Sequence, residues 1–209
     1  MKKAVIILSA IALASCNLSK KQTTDDFLIL YEEYNDSLGF ELFGYRNVQG
    51  EIAIKAKYYM TETDTFHNVA FVIRDSSGWV AIDRNETILL YPFIFDNGPD
   101  YIKEGLFRFV ENEKMGFANM DCEKIIPAIF DFVQPFENGI AEYTLGGHKE
   151  YEADDPNHHW WWAGGYETGY VNHSAQLFSK VTELQNGTRE AWTKDNQRVL
   201  LNEQGEIMK

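Results

Sequence analysis

The side chains with the most chemistry to offer crowd into one short stretch. Asp154 and Asp155 are followed by His158 and His159, then by Trp160, Trp161 and Trp162, and Tyr166 closes the run. Three of the five tryptophans and three of the five histidines of the chain fall between residues 146 and 166. Aromatic rings beside carboxylates can stack on sugar rings while the polar groups take the hydroxyls. Carboxylates and imidazoles can also ligate a divalent metal. His158 and His159 are adjacent, however, and adjacent residues on a strand face opposite ways, so one ion would need them in a loop. A third reading has no ligand: a long hairpin with Trp160 and Trp162 packed on a sheet and Trp161 on the other side. The eight side chains named here are the ligand-binding candidates; no metal and no cofactor is expected.

Catalytic templates fail one by one. There is no Gly-x-Ser-x-Gly, no His-Glu-x-x-His, no phosphate-cradling Gly-Lys-Ser/Thr loop and no dinucleotide glycine pattern. Asp96-Asn97-Gly98-Pro99-Asp100 offers oxygen ligands, but a turn uses the same residues and the spacing is not that of a calcium loop. Other acidic residues on alternating runs read as solvent faces. A carboxylate pair for glycan hydrolysis is the distant alternative, and the expectation is a protein that is not an enzyme.

The elements that position the aromatic stretch are repeats. Asn47-Val48-Gln49-Gly50-Glu51-Ile52 recurs as Asn202-Glu203-Gln204-Gly205-Glu206-Ile207. Asp83, Asn119 and Asn172 stand at related places, each after a strand-like run. Thirty-six residues separate Asn47 from Asp83 and Asp83 from Asn119; fifty-three then lead to Asn172 and thirty to Asn202. Self-similarity at a fixed period signals stacked units, and Asx with a following Gly is hairpin-turn chemistry, because both tolerate positive φ. Asn47, Gly50, Asp83, Asn119, Asn172, Asn202 and Gly205 are therefore expected in turns. Runs such as Val69–Ile73 and Leu106–Val110 read as strands, and Phe27 to Tyr34 as the strand opening the first unit. From Gly139 to Asn172 the chain takes thirty-three residues where the preceding unit takes fourteen, which sets residues 146–166 apart as an insertion. Long insertions in repeat proteins project from one face and often bind.

Further shared positions carry a family resemblance. Pro92-Phe93-Ile94-Phe95-Asp96 matches Pro127-Ala128-Ile129-Phe130-Asp131, and Glu104-Gly105-Leu106 matches Asn138-Gly139-Ile140. Gly44-Tyr45, Gly116-Phe117 and Gly169-Tyr170 lie just before the Asn of their units. From about residue 27 to residue 207 the chain resembles the WG-repeat family of bacterial β-repeat proteins. No Trp-Gly dipeptide survives: Phe43 and Met115 precede Gly44 and Gly116, and Trp79 is followed by Val80. The resemblance implies an all-β array of antiparallel hairpin repeats over residues 26–209, acting as a binding or structural module. An open, twisted, solenoid-like array is expected; a propeller-like closed ring is the alternative.

The first residues carry a different signal. Met1-Lys2-Lys3 is positive, Ala4 to Ala12 is apolar, and Leu13-Ala14-Ser15-Cys16 follows. A stretch this short with small residues at its end reads as a processed export signal over residues 1–15. Its ending resembles the lipobox of bacterial lipoproteins, which implies cleavage before Cys16 and a diacylglycerol on its sulfur. Residues 16–25 would then be the lipidated cysteine and a polar tether. Removing the fifteen-residue leader from 209 residues leaves 194, and losing its two lysines takes the formal net charge from −13 to −15. Such acidity repels nucleic acid, so none is expected as a partner. With Cys16 lipidated, Cys122 has no partner in the chain and reads as a core or turn residue. The expectation is a lipid-anchored envelope module, at the outer membrane, that binds a protein or glycan partner. A purely structural envelope protein is the runner-up.

Overall fold

Residues 27–74, 78–154 and 159–209 are described by the computed structural model, and among them there is no α-helix. The strands form a chain of three-stranded meanders. The first unit holds β1 (Leu28–Asn35), β2 (Phe40–Arg46) and β3 (Ile52–Tyr58), followed by the short β4 (Met60–Thr61) and β5 (Thr65–Phe66). The second holds β6 (Ala70–Ile73), β7 (Trp79–Ile82) and β8 (Ile88–Pro92), then a small hairpin of β9 (Ile94–Phe95) and β10 (Gly98–Pro99). The third holds β11 (Leu106–Glu111), β12 (Lys114–Asn119) and β13 (Lys124–Phe130), with β14 (Phe132–Val133) after it. The fourth holds β15 (Ile140–Tyr151), β16 (Trp160–Asn172) and β17 (Leu177–Val181). The fifth keeps β18 (Thr188–Thr193) and β19 (Arg198–Asn202), and its third strand shrinks to a bridge between Leu201 and Ile207.

Hydrogen bonding joins β3-β2-β1-β5 in one sheet, β13-β12-β11-β8-β7-β6-β4 in a second and β14-β15-β16-β17-β18-β19 in a third. The sheets are open, and among the described residues no core cluster joins the first unit to the fifth, so the array is the open form. One meander cannot bury its own apolar face, and each core is shared by two neighbours. Tyr45 and Ile54 of the first unit meet Val72 and Ile82 of the second. Phe71 and Trp79 of the second meet Phe107 and Phe109 of the third. Phe117 and Phe130 of the third meet Tyr143 and Val171 of the fourth. Phe178 of the fourth meets Ala191 and Leu201 of the fifth, the smallest of the four.

The predicted Asn and Asp turn residues all head the corner between the second and third strands, and Gly50 and Gly205 take its fourth position. Asn47 Oδ1 accepts the N–H groups of Gln49 and Glu51 at 3.0 and 2.9 Å. Asn119 and Asn172 repeat this with the residues two and four places on, and so does Asp83 as a carboxylate. At Asn202, Oδ1 accepts the Glu206 N–H. The fourth residue of each corner is left-handed: Gly50, Glu86, Cys122, Ala175 and Gly205 have φ of 86, 63, 60, 58 and 76°. This is a type I turn closed by a left-handed residue. Cys122 is thus a turn residue, and burial, then Asp121, pushes its thiol up to about 12, far from thiolate chemistry. Thr193 builds a further corner of the same kind, with Asn196 left-handed and Thr193 Oγ1 accepting the Gln197 N–H; Asx spacing does not reveal it.

A second set of turns leads into the first strands. Glu104-Gly105, Asn138-Gly139 and Asn186-Gly187 have positive φ at both residues, as type I′ turns require. These lead-in turns touch the corner of the following unit. Asn68 Nδ2 donates to Asp121 Oδ1 at 3.3 Å, Glu104 Oε2 lies 3.3 Å from His173 Nε2, and Gly139 packs on Gly205. A Cβ on Gly205 would lie 2.1 Å from the Gly139 carbonyl oxygen. Gly116 has a different constraint. The third strand bulges across it, with Met115 opposite Phe130 but Phe117 opposite Ile126, and a Cβ would stand 2.4 Å from the Ile126 carbonyl.

The structure adds a pair that the sequence reading did not single out. Asp100, read as part of a turn, and Arg108, on a strand-like run, are both buried, Arg108 at 3% exposure. Arg108 donates to both Asp100 carboxylate oxygens, at 2.8 and 2.6 Å, and to the Val133 carbonyl at 3.0 Å. Phe107 and Phe109 face the core shared with the second unit, so the opposite face of β11 meets the fourth unit's side of the array rather than water. A buried charge survives only when paired and hydrogen-bonded.

Candidate binding surface on the aromatic arm

The residues set apart as an insertion extend the hairpin of β15 and β16 beyond its unit. Pairing runs from Ile140↔Asn172 to Tyr151↔Trp160, with one register shift between Gly146 and His148. Directly opposed residues share a face. Tyr151, Trp160, Lys149 and Trp162 therefore lie on one face of this arm, and Glu150, Trp161 and His148 on the other.

The base of the arm is fixed to the third unit. Asp131 Oδ2 accepts the Gly146 N–H at 2.8 Å and Oδ1 accepts Lys114 Nζ at 2.5 Å. Burial raises the Asp131 carboxyl, but these two donors outweigh it and hold its pKa below the ordinary carboxylate value. Trp162 Nε1 donates to the Gly146 carbonyl at 2.9 Å, which orients its ring.

On the first face the rings form one cluster. Phe132 stands 5.6 Å from Trp160 and 6.2 Å from Trp162, Trp160 stands 6.3 Å from Trp162, and Phe93 meets Phe132 edge-on at 6.3 Å. Lys149 Nζ lies 4.2 Å from the Trp160 ring centre. Burial lowers the Lys149 pKa. Trp160 remains 39% exposed and Tyr151 57% exposed, so the inner edges of the rings pack while the outer faces stay open. The cluster is neither a core plug nor a free platform: it is a supported ridge. Trp161, 50% exposed, points the other way, beside His148 and Glu150, which approach to 3.3 Å.

The remaining candidates are dispersed. Tyr166 is exposed opposite Gly146, toward the base of the arm, and makes no ring contact with the cluster among the described residues. Asp154 and His159 are exposed near the tip. Asp155 and His158 lie outside the described residues, as does Cys16. Sequence reasoning missed Phe132, Phe93 and Lys149. Phe132 reaches the arm from the third unit and Phe93 of the second unit backs Phe132, contacts between units that no spacing encodes. For Lys149 a signal existed, because a hairpin centred on the insertion pairs it with Trp162.

Residues 115–147 match the family model described as a WG containing repeat. The matched segment begins at Met115-Gly116, where the glycine meets the arching third strand, and ends at Gly147, where the arm leaves its unit. No curated protein and no solved structure matches the chain significantly.

Proposed function

We propose that this chain, with its WG-type repeat at residues 115–147, is a lipid-anchored envelope module that holds a glycan or protein partner on the aromatic arm. The observation that carries the reading is the ridge of Trp160 and Trp162 with Tyr151 beside it: Phe132 braces the two indoles, and Trp160 and Tyr151 stay exposed. Bracing limits the ordering cost on binding, and open ring faces suit the apolar faces of sugars or an apolar segment of a protein. Anchorage rests on the Leu13-Ala14-Ser15-Cys16 ending. Two or more acyl chains hold firmly, at about 0.8 kcal/mol per buried CH₂, so the folded units need no membrane-binding surface of their own.

Two measurements test this. Cys16→Ser should abolish incorporation of a fatty-acid analogue and leave an uncut or soluble precursor; equal label on both proteins would end the lipoprotein reading. Trp160→Ala with Trp162→Ala should leave the melting temperature within a few degrees and abolish retention on purified peptidoglycan and on a glycan array, or capture of a crosslinked envelope protein. A drop of ten degrees or so would instead assign the rings to packing and favour a structural role.

A further inference from the structure

A second surface lies on the second unit, away from the arm. The segment before β6, the β9–β10 hairpin and the corner turn at Met120-Asp121 flank a half-open cavity of about 880 Å³. That is within the range of sites built to hold a ligand or a short chain segment, roughly 300–1,000 Å³. Its floor is Phe71, which is nearly buried and stacks edge-on against Phe107 at 5.3 Å.

The hairpin wall is held in place before anything binds. Trp79 Nε1 donates to the Asn97 carbonyl at 2.9 Å, and the chain just after the hairpin is pinned by the buried Asp100–Arg108 pair. Asp96 and Asn97 take left-handed φ of 49 and 69°, the geometry of a tight two-residue turn. This wall nevertheless turns large apolar side chains outward. Phe95 and Tyr101 meet edge-on at 5.5 Å while remaining 49% and 57% exposed, and Ile102 and Met120 stand out beside them. An apolar rim on a fixed wall indicates an occupant rather than a loop awaiting a core.

Charge narrows the occupant. Glu62, Asp64, Asp96 and Asp121 line the cavity together with the apolar rim, Asp100 being already paired with Arg108 and His67 lying at one side, and among the described residues no lysine or arginine does. Nucleic acid, anionic headgroups and acidic glycans are repelled by such a wall, and a neutral sugar, though its hydroxyls can bond the carboxylates, leaves their charge unneutralised. A ligand with both positive charge and apolar side chains satisfies every part. Its cation would sit among the carboxylates and over the exposed ring faces, where cation–π attraction adds to the ion pairs. The geometry points to a binding site for a basic, apolar peptide segment of a partner protein, with lysine or arginine alternating with aromatic or aliphatic residues. This site is separate from the arm and does not depend on what the arm holds.

The test uses the full chain in detergent and fluorescence anisotropy with three labelled peptides, alternating Lys with Phe, Lys with Ser, and Glu with Phe. The expected result is saturable binding of the Lys–Phe peptide, about tenfold or more weaker binding of Lys–Ser, and none of Glu–Phe. Asp64→Asn with Asp121→Asn, and separately Tyr101→Ala, should each weaken the Lys–Phe peptide about tenfold. Glu33→Gln with Glu183→Gln removes the same charge from exposed positions elsewhere and should change it little. Three results overturn the proposal: equal binding of Lys–Ser and Lys–Phe, which is general attraction to an acidic chain; equal weakening by the two charge-matched double variants; or no saturable binding. Loss on Trp160→Ala with retention on Tyr101→Ala would also overturn it, by moving the peptide to the arm.

Discussion

At the scale of the residue, the corner turns show one chemical device used repeatedly with different tolerance. Asn or Asp at the first position was legible because a short side-chain acceptor caps two backbone N–H groups in the first four units and one in the fifth. The fourth position was legible only as glycine, although Glu86, Cys122 and Ala175 take the same left-handed conformation. Gly50 and Gly205 look alike in sequence but differ in surroundings. A Cβ on Gly50 meets nothing within 4 Å, whereas one on Gly205 runs into Gly139. Gly50→Ala should therefore cost only the left-handed penalty, about 1–2 kcal/mol, and Gly205→Ala clearly more, because the contact between turns must open. Ala175→Gly should recover part of the same penalty. Urea melts of the three variants decide this, and equal losses at Gly50 and Gly205 would refute the contact. Arg108 marks the opposite limit. An arginine on an alternating strand reads as solvent-facing, and only the neighbouring unit, absent from any local pattern, makes it a buried partner of Asp100.

At the scale of the element, the arm was legible as surplus length and aromatic content, but its support was not. The insertion stands out because the stretch from Gly139 to Asn172 is long against its equivalents, while Phe132, Lys114 and Asp131 act on the arm from the third unit. The Asp131 carboxyl supplies a pH-dependent hold. Its folded pKa lies below the unfolded value of about 3.9. Stability from this group is therefore fully present above that unfolded value and is lost as pH falls through the folded pKa. Asp131→Asn should lower the melting temperature near neutral pH, and the gap to the unmodified chain should close as pH drops below about 4. A gap that stays constant from neutral to acid pH would show that the carboxylate charge does not hold the arm.

At the scale of the whole molecule, repeat spacing made the array legible, and the choice between an open and a closed form was left to contacts between units. Among the described residues each core cluster joins two neighbouring units, and the cores are unequal. The last core, around Phe178, Ala191 and Leu201, is the smallest, and the third strand of its unit is a single bridge. Leu201→Ala removes a fully buried side chain, at a cost of roughly 2–5 kcal/mol. In a stack of this kind the loss should appear as local opening. Amide exchange should speed up across β18 and β19 and stay near its original rate in β11 and β12; uniform acceleration would mean that the chain unfolds as one body. The sharing of each core by two neighbours decides how the molecule bears a load. Tension applied between Leu28 and Leu201 passes through each shared core in series, so no joint is protected by another. The chain should then pay out in steps as one meander after another unzips, beginning at the C-terminal joint. Each thirty-six-residue unit would release about 120 Å of extended chain, giving a tether that lengthens by increments where a single-core domain would let go all at once.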